Sequence, residues 1–347
     1  MSSRQFAGGA LIAGIIVAAS FAIVAFAIPR HFKVDLGSFE NRLFRVERQS
    51  LSRTDAPAIV FLGSSRGAFG VESRAIEVEL GLPARSVANA AFPGLYDEAL
   101  EQFVDRNLGY LNKAKTVVLI VDDNAALYPP SQPAAAPSNE GVSLSSLLAG
   151  AQDIIRTWPR PVKAWNDSLS RMLPDFRREL YWSARQGREA IGKVHREYLW
   201  SLSESGRWEW PSINTVVFVE TANEAAVSKA VADMYFANRV LIDRYVTIYE
   251  RIVRKLGDTQ VVVLQMPSAV SYSTYRDVTH GRLHRAQRQA FEELFAKLGV
   301  PVLRCEPAAA CGLSDRIFGD PLHLNAEGAR QLSTAFARML RDRQLVH

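Results

Sequence analysis

The residues best suited to chemistry stand at the ends of apolar runs. Gly63-Ser64-Ser65-Arg66 follows the run Ala58-Ile59-Val60-Phe61-Leu62, Asn89 to Gly94 follows a second run, and Asp122-Asp123-Asn124 follows Thr116 to Val121. Asp320-Pro321-Leu322-His323-Leu324-Asn325 stands directly before a helical pattern near the C-terminus. A serine nucleophile requires a base, a group that orients the base, and donors for the developing oxyanion. Ser65, on a tight strand-to-helix turn, is the candidate nucleophile, and its own backbone N–H can point at the oxyanion. Gly94 could add a second N–H, because glycine lets the backbone approach closely, and Asn124 could add a side-chain amide. His323 is the candidate base. Asp320, three residues earlier, could reach its Nδ1 and fix the tautomer. Each piece alone has a bland reading: a plain turn for Gly-Ser-Ser, a local loop pair for Asp-x-x-His. Their order and their strand-end positions make the joint case, since active residues of open α/β sheets gather at the carboxyl ends of the strands.

These groups need elements to hold them. Continuous apolar runs at Ala58–Leu62, Thr116–Val121 and Gln260–Gln265 predict buried parallel strands, with weaker strands at Arg85–Ala91 and Val300–Leu303. Helical spacing covers Ser73–Leu80, Tyr96–Leu111, Ala225–Leu256, Gly281–Leu298 and Ala326 to about Arg341. Alternating strands and helices predict an α/β sandwich around a parallel sheet. The rhythm breaks between Tyr128 and Ile213. This stretch opens on a Pro- and Ala-rich loop and holds all six tryptophans: Trp158, Trp165, Trp182, Trp200, Trp208 and Trp210. It reads as an inserted subdomain, whose indole rings suit a sugar face, a membrane interface or a partner, or else simply glue a small helical unit together.

Gly63-Ser64-Ser65, Gly94, Asn124 and Asp320-x-x-His323 together resemble the four ordered blocks of the SGNH/GDSL hydrolase family. The resemblance implies a three-layer α/β/α sandwich with a flavodoxin-like parallel sheet, and acyl-ester hydrolysis or transfer. It implies Ser65 as nucleophile, Ser65, Gly94 and Asn124 as the oxyanion hole, and Asp320 with His323 as the remaining triad members. It covers roughly residues 57–128 and 215–345, the two parts of the core, with an insertion at 129–214. Two blocks depart from the pattern. Ser64 replaces the acidic residue before the nucleophile, with Arg66 after it, and block three reads Asp122-Asp123-Asn124-Ala125 where Gly-x-Asn-Asp is usual. Asp122 or Asp123 could therefore line the site in place of an Asn124 donor, and Arg66 could line it and meet an anionic substrate, with a solvated surface as its bland reading. The Gly-Ser-Ser start and the Asp-Pro-Leu-His-Leu-Asn ending look more like a membrane-anchored subgroup that includes alginate O-acetylation proteins and the protein that helps D-alanylate lipoteichoic acid. That similarity implies an extracytoplasmic catalytic part, an acylated glycan or acyl donor as substrate, and a membrane-bound O-acyltransferase as partner. The two altered blocks motivate the rival expectation, a non-catalytic partner or scaffold of such an acyltransferase or of a glycan-synthesis complex.

Composition and the N-terminus bear on compartment. The chain has 347 residues, 48% of them apolar and 22% charged, so a packed core is expected and global disorder is excluded. A net charge of +5, with basic and acidic residues interleaved, does not argue for nucleic acid. Phe6 to Ile28 carries no charge; these 23 residues would make roughly 34 Å of helix, enough to span a bilayer core. A membrane anchor over residues 1–30 is favoured over a signal peptide cleaved near Ala25-Phe26-Ala27, and it would hold the chain in membrane lipid. Residues 31–56 read as a juxtamembrane linker with an amphipathic helix built on Leu36, Phe39, Leu43 and Val46, lying on the membrane or packing on the domain. Arg30, Lys33, Arg42, Arg45 and Arg48 follow the span, so the positive-inside rule favours a cytoplasmic C-terminal part, against the implication of the resemblance.

Two cysteines exclude a disulfide scaffold and a four-thiolate zinc site, but in an oxidising compartment Cys305 and Cys311 could close a small ring beside the histidine block. His280 and His284 are spaced i, i+4 without the glutamate of a metalloprotease motif, and neither a metal nor a cofactor is expected.

Overall fold

The computed structural model describes residues 50–121, 201–209, 222–236 and 242–346, together with Leu43, Val46, Glu47 and Gln49. The chain divides into two units, 42–132 with 199–347 and 1–41 with 133–198; every described residue falls in the first. The N-terminal apolar span, Leu36, Phe39, Asp122 to Asn124 and most of the Trp-rich insertion lie outside the described residues. Among the described residues, no helix is long and apolar enough to cross a membrane.

In chain order the elements are β1 (Ile59–Leu62), α1 (Ser65–Gly70), α2 (Ser73–Leu80), β2 (Val87–Asn89), α3 (Asp97–Leu111) and β3 (Thr116–Val121). A small hairpin follows, β4 (Ser201–Leu202) and β5 (Trp208–Glu209), then α4 (Ala222–Phe236), α5 (Ile242–Lys255) and β6 (Gln260–Gln265). The last elements are α6 (Val270–Thr279), α7 (Gly281–Lys297), β7 (Val302–Arg304) and α8 (Ala326–Asp342). The five main strands form one parallel sheet in the order β2-β1-β3-β6-β7, the flavodoxin-like doubly wound order. β1 and β3 are buried along their whole length, as strands covered by helices on both faces must be. α2 packs with α8, and α5 packs with both α3 and α7; right-handed crossovers put these two groups on opposite faces of the sheet.

The helix patterns explain that packing. α5 buries Tyr245, Ile248, Tyr249 and Ile252, and α8 buries Ala329, Leu332, Phe336, Ala337 and Leu340, each set one stripe at helical spacing. Phe336 of α8 meets Phe61 of β1 edge-on at 5.6 Å. Leu43 and Val46 are helical and buried, which fits the packing alternative for that part of the linker. The described residues of the expected helical stretch Ala225–Leu256 fall in α4 and α5, and residues 237–241 between them lie outside the described residues. α1 and α6 were not expected either; α1 contains two glycines in six residues, which hides it from propensity.

Candidate active site

In the doubly wound order the chain leaves β1 for one edge, then returns to start β3 on the other side. The crevice opens at that reversal, outside the carboxyl ends of β1 and β3. Ser65 is the first residue of α1, directly beyond β1. Ser64 caps this helix, its Oγ accepting the Arg66 N–H at 3.3 Å. The turn between them cannot carry a side chain: Gly63 has φ +153°, and a Cβ there would stand 2.7 Å from Ile120 Cβ and 3.0 Å from the Ile120 carbonyl. Gly67 lets α1 lie close on the sheet end, since a Cβ would stand 2.9 Å from Ala91 Cβ.

The histidine loop is equally fixed. Phe318 and Leu324 form an antiparallel bridge, and the Gly319 N–H donates to the His323 carbonyl at 2.9 Å. The Ala269 N–H reaches the Pro321 carbonyl at 3.0 Å. Asn325 ends the loop as the cap of α8, its Oδ1 accepting from the Gly328 N–H at 2.9 Å and its Nδ2 donating to the Arg316 carbonyl at 3.1 Å.

These two supports bring three side chains into line. His323 Nε2 is 2.8 Å from Ser65 Oγ, and His323 Nδ1 is 2.7 Å from Asp320 Oδ2. The other Asp320 oxygen accepts the backbone N–H groups of Leu322 and His323, both at 2.8 Å. Burial works to raise the Asp320 pKa; the hydrogen bond and charge of His323, with those two N–H donors, outweigh it and hold the carboxyl below its ordinary value. An ionised carboxylate can only accept, so the imidazole proton sits on Nδ1 and leaves Nε2 free to accept from the Ser65 hydroxyl. Phe69, also on α1, meets the His323 ring edge-on at 5.8 Å.

Gly94 lies on the turn after β2. The β1–β2 ladder continues past the strands, with the Phe92 N–H donating to the Gly63 carbonyl at 3.0 Å, so this turn runs beside the Ser65 turn. Gly94 has φ +85°. Asn124, Asp122 and Asp123 lie outside the described residues.

Arg66 differs from expectation. It is 3% exposed, and its Nη2 donates to the Met266 carbonyl at 3.0 Å, the Pro267 carbonyl at 2.5 Å and Ser268 Oγ at 3.2 Å. Its Nη2, taken up by the chain leaving β6, ties α1 to that strand. Ser268 is held in turn by Glu306, which accepts its N–H at 2.8 Å and pairs with the buried Arg276 at 3.0 Å. Cys305 and Cys311 are disulfide-bonded. His280 and His284 do not converge on one ion: each meets a separate carboxylate at 3.0 Å, Asp233 and Asp277. Among the described residues, no group of three or more His, Cys, Asp or Glu could hold a metal.

Sequence reasoning missed the residues that hold α1. Asn89 is buried, and its Nδ2 lies 3.1–3.3 Å from the carbonyls of Gly67, Ala68 and Val71. The Trp208 indole N–H donates to the Asn89 carbonyl at 3.0 Å, so this tryptophan serves the core. The hairpin that carries it, assigned to the 129–214 insertion by its tryptophans, belongs to the unit of the sheet. Only the buried Asn at a strand end offered a signal.

No protein-family model matches the chain, and no curated protein matches it. Seven solved chains do match. One is a lipase/acylhydrolase from Enterococcus faecalis, 12% identical, with a TM-score of 0.42 over 83% of this chain and 97% of that one. So slight a likeness leaves activity to be argued from the site's own geometry.

Proposed function

We propose that the protein is a serine acyl-ester hydrolase or O-acyltransferase of the SGNH type. The observation that carries this reading is the unbroken hydrogen-bonded series from Ser65 Oγ through His323 to Asp320 at the reversal of a parallel sheet. In the proposed reaction Ser65 Oγ attacks the acyl carbon while His323 Nε2 takes its proton. The carbonyl oxygen becomes an oxyanion facing the N–H groups of Ser65 and Gly94, with Asn124 as third donor. Collapse breaks the ester bond; imidazolium returns the proton to the leaving alkoxide, and the acyl group stays on Ser65. A second hydroxyl then enters by the same steps in reverse. Water gives hydrolysis and a sugar hydroxyl gives transfer, so the acyl-enzyme is common to both.

The acyl group in this reading is small, acetyl being the simplest, and the substrate is a polysaccharide or other glycan of the cell envelope. The chain is anchored in the cytoplasmic membrane by residues 6–28 with its catalytic part outside, beside a membrane-bound O-acyltransferase. The resemblance of the Gly-Ser-Ser and Asp-Pro-Leu-His-Leu-Asn motifs to anchored O-acetylation proteins supports this, and so does a disulfide, which persists in oxidising compartments. The replacement of the usual block-three Gly-x-Asn-Asp by Asp122-Asp123-Asn124-Ala125 favours one rival, a scaffold without catalysis. A fluorophosphonate probe separates the two. The full-length protein should be labelled, and Ser65→Ala and His323→Ala should both lose the label. A folded wild type that takes no label would decide for the scaffold.

A further inference from the structure

We infer that Arg207 is a positioning residue for Ser65 and His323, so that the hairpin 201–209 sets the spacing of nucleophile and base. The inference rests on the proposed reading of those two residues as a catalytic pair.

Arg207 is 3% exposed and stands between the two pieces of chain that carry the pair. Its Nε donates to the Phe69 carbonyl at 2.8 Å, and its Nη2 reaches the Leu324 carbonyl at 3.5 Å. Phe69 belongs to α1, whose first residue is Ser65, and Leu324 directly follows His323. A single rigid guanidinium thus spans both sides of the Ser65–His323 hydrogen bond. Phe69 adds a second connection through its ring contact with the imidazole.

Helix α1 needs such support. Six residues are too few to hold a helix by their own hydrogen bonds. Asn89 takes the carbonyls of Gly67, Ala68 and Val71, and Arg207 takes that of Phe69. The hairpin does not need Arg207 merely to stay docked. Trp208 reaches the Asn89 carbonyl, the Arg74 N–H reaches the Ser205 carbonyl at 2.8 Å, Ser73 Oγ reaches the Gly206 carbonyl at 3.2 Å, and Arg53 reaches the Ser203 carbonyl at 3.1 Å. Burying a guanidinium is costly, and here its donors are aimed at one carbonyl four residues along the helix that Ser65 begins and at another next to His323.

The test uses full-length protein labelled with 15N-histidine, read by NMR, alongside the rate of phosphonylation of Ser65. The chain has six histidines, and a His323→Gln spectrum assigns the relevant signals. Arg207→Met should slow phosphonylation about 10- to 100-fold, the scale of a misplacement near 1 Å. It should also shift the His323 ring nitrogens and the Nδ1 proton shared with Asp320. Arg207→Lys, which keeps charge but not the planar fork, should fall between Met and wild type in both. Arg53→Met removes a different hairpin contact and should leave both within about twofold. The inference is overturned if folded Arg207→Met keeps wild-type His323 signals, or if Arg53→Met reproduces its losses. Should Arg207→Met fail to fold, Arg207→Lys decides by the same two readouts. If wild type itself is not phosphonylated, the serine reading falls, while the histidine signals still decide whether Arg207 sets the geometry.

Discussion

At the scale of single residues, the proposed chemistry turns on which imidazole nitrogen holds the proton. Asp320 fixes this by accepting from Nδ1 while its other oxygen is tied down by two backbone N–H groups. Asp320→Asn would keep the shape but present an amide donor to Nδ1, favouring the wrong tautomer. Phosphonylation of Ser65 should then fall on the order of 10⁴-fold with little change in Tm. Because the Asp320 carboxyl lies below its ordinary 3.8, it stays charged throughout the range in which the imidazole must act as base. Gly63→Ala tests the turn: a Cβ 2.7 Å from Ile120 Cβ must push apart β1 and β3, with an expected cost of about 1–3 kcal/mol by chemical denaturation. Ser65, Asp320 and His323 could be singled out in the sequence because each stands next to an element boundary that apolar patterning reveals. Arg66, Asn89 and Arg207 could not be read for their roles, because their partners are main-chain carbonyls far along the chain, and a carbonyl has no residue type.

Between elements, charge adds to apolar packing. α3 and α5 meet through Glu101, which accepts from Arg251 Nη2 at 2.6 Å and from Lys255 Nζ at 2.8 Å. The hydrogen bond from Arg251, opposed by partial burial and helped by Lys255, holds the Glu101 carboxyl at about 2. The unfolded chain takes up that proton near 4.5 and the folded chain near 2, so in this window the unfolded state binds more protons and stability rises with pH. The contribution is present above about 4.5 and is lost as pH falls toward about 2. Glu101→Gln should cost about 1 kcal/mol at pH 7 and flatten the fall of Tm below pH ~4.5. Parallel strands were the most legible elements: Thr116–Val121 and Gln260–Gln265 have the limits that their apolar runs predict. Burial on both faces keeps the interiors of such strands apolar, Val117–Val121 and Val261–Leu264, so their limits are sharp in sequence. The weaker pair shifted, to Val87–Asn89 and Val302–Arg304, because strands at the sheet's edges carry polar residues that blur the run.

For the whole molecule, the uncharged run from Phe6 to Ile28 has a direct test. An alkaline phosphatase fusion after residue 55 should be active if the proposal of an exported catalytic part holds; a silent fusion would place it in the cytoplasm, as the positive-inside count has it. The disulfide offers a second measure. Cys305 and Cys311 are six residues apart, and closing so small a ring contributes about 2 kcal/mol in the chain-entropy view. A Cys305→Ser/Cys311→Ser protein should lose about that much stability, and reductant should lower the Tm of wild type but not of the variant.

The nucleophile and its base are 258 residues apart in the chain. At about 5–20 residues per second, roughly 13–50 s pass on the ribosome between the addition of Ser65 and that of His323. Throughout that interval the serine is an ordinary alcohol, with no imidazole to take its proton. If the proposed function holds, a growing chain that still lacks His323 therefore cannot consume acyl donors through Ser65. In the proposed enzyme, activity begins only when the segment that carries His323 docks against α1, which makes that docking its own activation step.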